Sequence, residues 1–169
     1  IGKTSIIFKF LDGFHDNRVL LLYLDIRRES MDSFAKRFIG ILLYNFLLNS
    51  GEPLKENIDF LLNKAKNHIP KTTLKIEAIL NTLKKRKKDS IFTELISLPE
   101  SLYAESEKSC VIIFDEFHNL ENIGAKKLYQ EWSKSLMIQK HTMHIILSSK
   151  RHRAKTILSK NLSLLFGNF

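Results

Sequence analysis

The sequence predicts an α/β fold with a mostly parallel sheet, and three observations carry that prediction. Two short continuous apolar runs, Val19-Leu20-Leu21-Leu22-Tyr23-Leu24 and Val111-Ile112-Ile113-Phe114, have the length and composition of strands covered on both faces. Stretches between and after them repeat apolar residues at three- and four-residue steps, which is helical spacing. The second run ends in Asp115-Glu116, the way a buried parallel strand delivers acids at its carboxyl end.

Each element has its own signature. Lys3 to Leu11 reads as a helix stopped by Asp12-Gly13, and Arg18 to Asp25 as the first strand, with an exit loop over 26–30. From Met31 to Ser50 the positions Met31, Phe34, Phe38, Ile41, Leu42 and Phe46 mark an amphipathic helix, ended by Gly51-Glu52-Pro53. Leu54 to Asn67 predicts a shorter helix, and Ile69 to Asp89 a helical insertion with a solvated, charged end. Ile91 to Leu98 is helical again. Ser97 and Glu100, with Pro99 between them, have the spacing of a capping box that restarts the helix after a bend. After the acids, 117–124 reads as a loop. Ala125 to Gln139 reads as a helix turning Leu128, Trp132, Leu136 and Met137 toward the sheet. Met143 to Leu147 is the next strand, ending in Ser148-Ser149, followed by a basic segment with a helix through Ile157 and Leu158.

Bulk properties bound the function. With 169 residues, 44% apolar and 27% charged, the chain suits one globular domain with a sizeable core, and a disordered tail is excluded. The one cysteine, Cys110, has no intramolecular disulfide partner, and a small buried thiol in a reducing cytoplasm is the natural expectation. No apolar run is long enough to span a bilayer. A net charge of +9 suits a polyanionic partner such as nucleic acid or a membrane surface. Its densest runs, 84–88 and 150–155, lack the interleaved aromatics that stack on bases.

Chemistry is concentrated at two places. Gly2-Lys3-Thr4-Ser5 opens a helix and matches the end of G-x-x-x-x-G-K-[ST], a loop whose N–H groups wrap phosphates. Paired with the strand ending in Asp115-Glu116, it outlines the two halves of a nucleoside triphosphate site. Because the chain begins inside that loop, the sequence is expected to be a fragment, with the preceding strand and earlier glycine outside it.

The order GKTS, strand YLDI, long helix, LISLPESL, VIIFDEFHNL, a strand ending ILSS and a late LFG resembles the archaeal-type P-loop ATPases of the AAA/STAND (ASCE) group. The resemblance implies a three-layer P-loop NTPase over 1–169, with a helical insertion over about 51–108. In it the phosphate-loop strand, missing from this chain, sits centrally beside the strand ending in ILSS, and the acidic strand lies next out. It implies ATP and Mg²⁺ as ligands, and a nucleotide cycle coupled to an attached or partner module. Nucleic acid, a protein partner and a second copy of the chain all remain open as partners. One departure matters. The family often carries Gly-Arg where this chain has Gly167-Asn168, so a charge-stabilising arginine comes from elsewhere or hydrolysis is slow.

Within that scheme Gly2, Lys3, Thr4 and Ser5 bind phosphate, with Lys3 neutralising β/γ charge and the Thr4 hydroxyl on Mg²⁺. Asp115 holds Mg²⁺ mainly through water, and Glu116 orients or deprotonates the attacking water. Ser148 or Ser149 senses the γ-phosphate, strand alternation admitting only one of them. Each residue has a plainer reading: a solvated lysine, hydroxyls capping a helix, acids or serines forming turns. His118 follows the acids closely enough to touch nucleotide, but a surface-loop histidine is the simpler identity. His141, His144 and His152 have the wrong spacing for zinc, since the first two point to opposite faces of a strand.

Overall fold

The computed structural model describes residues 3–48, 54–85, 90–124 and 128–162, the side chains of Lys3 and Thr4 excepted. Gly2, residues 86–88 of the basic run, and Gly167-Asn168 lie outside the described residues. Helix α1 (Lys3–Gly13) leads to strand β1 (Val19–Asp25) and helix α2 (Met31–Leu47). Three helices follow, α3 (Ile58–Ala65), α4 (Pro70–Lys84) and α5 (Ile91–Ser106), before strand β2 (Ser109–Asp115). A 3₁₀ helix over Phe117–Ile123, helix α6 (Leu128–Ile138), strand β3 (Thr142–Ile146), helix α7 (Arg151–Thr156) and a π-helical turn over Ile157–Asn161 complete the order.

The sheet is parallel throughout, in the order β1-β2-β3. Register pairs Asp25 with Asp115 and Phe114 with Ile146, so the polar exits of the strands come out at one edge. One face of the sheet is closely packed along β1 and β2. Leu20, Leu22 and Leu24 of β1 meet Phe34, Phe38 and Leu42 of α2 in the buried core. A chain of rings joins four elements, with Phe34 6.0 Å from Phe92, Phe92 6.1 Å from Trp132 and Trp132 5.1 Å from Phe114. Burying aromatic rings of this size dominates a core's energetics.

The opposite face is thinner. Alternate residues of β1 are only partly covered, so the apolar run expected to be buried on both sides is buried on one. Phe8 of α1 meets that face at Tyr23, ring centroids 5.2 Å apart. Ile6, Phe8 and Phe10 nonetheless remain 70%, 47% and 42% exposed.

Helix ends explain several boundaries. Ser30 Oγ accepts from Ser33 N–H and Asn57 Oδ1 from Phe60 N–H, each satisfying a free donor in the first turn. Glu105 of α5 accepts from Lys71 N–H, Thr72 N–H and the Thr72 hydroxyl, capping α4 from outside and locking the α4–α5 pair.

The expected capping box is replaced by something else. Helix α5 runs unbroken through Pro99, and Ser97 Oγ donates to the Glu94 carbonyl. Glu100 reaches away from its own helix to accept from Lys140 N–H, His141 N–H and the Thr142 hydroxyl, which pins the start of β3. A proline inside a helix costs about 3 kcal/mol. Burial of Leu95, Ile96, Leu98, Pro99 and Leu102 against the core offsets that cost. Met137 also departs from expectation, standing 65% exposed at the end of α6 while Leu128 and Trp132 face inward. Among the described residues no helix is long and apolar enough to cross a membrane.

Candidate functional site

The carboxyl ends of β2 and β3 gather a compact set of polar groups. Asp115 closes β2 and is 4% exposed. Its Oδ2 accepts from the Tyr23 hydroxyl at 2.8 Å and its Oδ1 from Glu116 N–H at 2.9 Å. Tyr23 therefore ties β1 to the acid that ends the neighbouring β2. Burial pushes its phenol well above the ordinary tyrosine value, and the bond to Asp115 adds to the rise.

Glu116 leaves the strand in the left-handed region, φ 54° and ψ 39°. A non-glycine residue pays for that conformation, and such residues cluster at sites where the chain must re-aim a side chain. Here the turn directs the Glu116 carboxylate at the loop after β3. It accepts from Ser149 Oγ at 2.7 Å and from Ser149 N–H at 3.1 Å to Oε2.

Strand alternation does not choose between Ser148 and Ser149, because the ladder stops at Ile146 and both serines lie beyond it. Both hydroxyls reach the acid corner, Ser149 at Glu116 and Ser148 at His118 Nδ1, 2.8 Å away. His118 is no surface residue. It is 2% exposed, one of the buried residues of the 3₁₀ helix together with Phe117, Leu120 and Ile123. Burial holds its imidazole below the ordinary value; nearby Glu116 and Glu121 oppose that, while Lys150 and Arg153 add to it.

The segment expected to bind phosphate is built differently. Helix α1 begins at Lys3 as the sequence predicts, Ser5 is exposed in its first turn, and Gly2 with the Lys3 and Thr4 side chains lies outside the described residues. The path from α1 to the acids runs through Phe8 on Tyr23 and Tyr23 on Asp115.

Two clefts of about 530 and 480 Å³ lie on the molecule, the second of them sharing Tyr23 with this corner. One runs between α2 and α3 past Lys36, Tyr44 and Glu56, and the other between the end of α1, β1 and α2 past Phe14, Leu21 and Leu48. Neither is lined by Asp115, Glu116, Ser148 or Ser149. In the polar corner Asp115 and His118 are buried, Glu116 and Ser148 are half-buried, and Ser149 is exposed at the rim.

Two of its members were not legible as site residues. Tyr23 sat inside an apolar run, where the only hint was that a buried phenol needs a partner for its hydroxyl. His118 stands out by its closeness to the acids but reads as a surface-loop histidine, whereas it is buried. Among the described residues no three His, Cys, Asp or Glu side chains come together as a metal cage. The carboxylate oxygens of Asp115 are hard donors of the kind that suit Mg²⁺ through its water shell. No protein-family model, curated protein or solved structure matches the chain.

Proposed function

We propose that the protein is a P-loop domain of the AAA/STAND type that binds Mg²⁺-ATP, hydrolyses it, and couples the nucleotide state to an attached or partner module. The observation that carries the reading is the acid corner. Asp115 and Glu116 close a parallel strand, and Glu116 leans on Ser149 at the end of the adjacent strand. Ligands of parallel α/β sheets bind at this edge.

In this reading the Gly2 to Ser5 segment at the start of α1 receives the phosphates, with Lys3 on the β/γ oxygens. Asp115 and the Thr4 hydroxyl hold Mg²⁺, which when bound neutralises charge on the transferred phosphoryl group. Glu116 takes the proton of an in-line water, and the Ser148 and Ser149 hydroxyls lie on the γ-phosphate side. A reducing cytoplasm, with Cys110 as a buried thiol, belongs to the same reading. Phosphate release tests it. Glu116→Gln is expected to slow turnover by about 10²-fold or more while ATP still binds, and turnover indifferent to both Glu116→Gln and Lys3→Ala rejects it.

A second reading, a nucleotide-gated switch with little hydrolysis, draws on one specific observation. The Glu116 carboxylate is already occupied by Ser149 N–H and Oγ, which withholds it from water. The exposed basic residues at 150–153 next to it would then engage a protein or nucleic acid. Tight ATP binding with negligible turnover, relieved by Ser149→Ala, favours the switch. A nucleic-acid partner would show affinity falling steeply with salt.

A further inference from the structure

The pairing of His118 with Ser148 supports an inference that deepens the nucleotide reading and rests on it. His118 Nδ1 lies 2.8 Å from Ser148 Oγ and 3.3 Å from Glu116 Oε2. The Nδ1 hydrogen bond is the one to Ser148, and the negative charge of Glu116 beside the same nitrogen favours the proton on Nδ1 rather than a lone pair there. The neutral ring is then the Nδ1–H tautomer, with Nε2 bare. The opposite tautomer would turn a nitrogen lone pair toward the carboxylate and spend the serine proton on the ring.

With Nδ1–H donating to it, Ser148 Oγ also accepts from Lys150 N–H at 3.1 Å. A hydroxyl has two acceptor sites and one proton. Both acceptor sites are filled from the protein, and the O–H is what remains to give. Ser148 is only half-buried, so a ligand at the strand-end edge can approach it.

We propose that His118 is a positioning residue that fixes the Ser148 hydroxyl as an obligate hydrogen-bond donor, directed at an anionic phosphoryl oxygen of the bound nucleotide. His118 itself touches no substrate. Lying between Glu116 and Ser148, it joins the end of β2 to the end of β3, so the acid and the hydroxyl share one orienting group. The charged groups around it are Glu116 and Glu121 on its own side, and Lys150 and Arg153 from the segment after β3. A histidine that merely fills space would be replaced without loss by phenylalanine, and the proposal predicts otherwise.

The test has two arms. In the first, protein labelled with ¹⁵N in its histidines is read by long-range ¹H–¹⁵N correlation at pH 7. The expected His118 signals are a protonated Nδ1 and a bare Nε2. A protonated Nε2 with bare Nδ1, or a charged ring, overturns the assignment. In the second, calorimetry compares ADP with a non-hydrolysable ATP analogue, each with Mg²⁺. Preference for the triphosphate is expected to fall about tenfold in His118→Phe and in Ser148→Ala, the loss of one charge-assisted bond.

The double variant should lose no more than either single one, because the two residues act as a unit. His118→Asn, whose amide N–H takes the place of Nδ1–H, should stay near wild type. Nucleotide binding with undiminished triphosphate preference in Ser148→Ala overturns the proposal while leaving the ATP reading standing. Wild-type protein that binds neither nucleotide overturns both. Because Ser148→Ala trims a half-exposed hydroxyl, it keeps the test open even if His118→Phe does not fold.

Discussion

The two faces of the sheet are held in opposite ways. On one, rings from α2, α5, α6 and β2 interlock, with Phe34, Phe92, Phe114 and Trp132 all nearly inaccessible. On the other, α1 meets the sheet through Phe8 on Tyr23 while half of Phe8 still faces solvent. The acid corner draws on both, since Asp115 and Glu116 end a strand that the ring core fixes from one face while the Asp115 side chain bonds Tyr23 on the other. The segment expected to bind phosphate belongs to the second. The difference teaches that the carboxylates are preorganised by packing, whereas the arm carrying Lys3 is joined to them by a relay of contacts through Tyr23.

That contrast can be broken by substitution. Phe92→Ala, which empties the middle of the ring chain, is expected to cost about 3–5 kcal/mol in denaturant unfolding. A loss below about 1 kcal/mol would mean the packed face is softer than it looks.

Acid probes the same region through His144. This residue packs between Phe114 and Trp132, with Trp132 Nε1–H donating to Nδ1 and Gln139 Oε1 beside Nε2. Burial depresses its pKa to about 4, against an ordinary 6.5. The folded state therefore resists taking up a proton that the unfolded chain accepts. This contribution is fully present above pH 6.5 and drains away as pH falls from 6.5 toward 4, up to about 3 kcal/mol. Unfolding midpoints measured at pH 7 and pH 4.5 should separate in the wild type and separate less in His144→Gln. Equal separation would contradict the assignment.

Tyr23 sits at the junction of the two regions. Tyr23→Phe keeps the ring under Phe8 but takes the hydroxyl from Asp115, and is expected to cost about 2 kcal/mol, the range for a bond to a charged group. The smallest effect is expected for Phe8→Ala, below about 1 kcal/mol, because half the ring is already wet. A loss as large as that of Phe92→Ala would erase the distinction between the faces.

Sequence periodicity located the strands and the long helices because their apolar patterns are strong and local. Val19 to Leu24 and Val111 to Phe114 had no other structure open to them. What escaped the sequence was decided by tertiary contact. Pro99 remains within a continuous helix since the burial around it outweighs a local preference to stop. Glu100 has the spacing of a capping partner, yet its carboxylate finds three donors across the fold at the start of β3. The burial of His118 follows from the left-handed turn at Glu116, a backbone feature that no residue type in DEFH announces. Asp115 and Glu116 were legible as a pair at a strand end. Their dependence on Tyr23, His118 and both serines was not, because those partners come from other strands and loops.

The central claim is that the start of α1 and the Asp115-Glu116 pair face one metal-bound triphosphate tail. Mn²⁺ substituted for Mg²⁺ in the ATP complex tests this directly, because its unpaired electrons broaden nearby amide signals in a single ¹H–¹⁵N spectrum. The account predicts that Thr4, Ser5, Asp115 and Glu116 broaden together on adding Mn²⁺-ATP and recover when EDTA removes the metal. Broadening confined to one of the two segments, or none at saturating Mn²⁺-ATP, would contradict it.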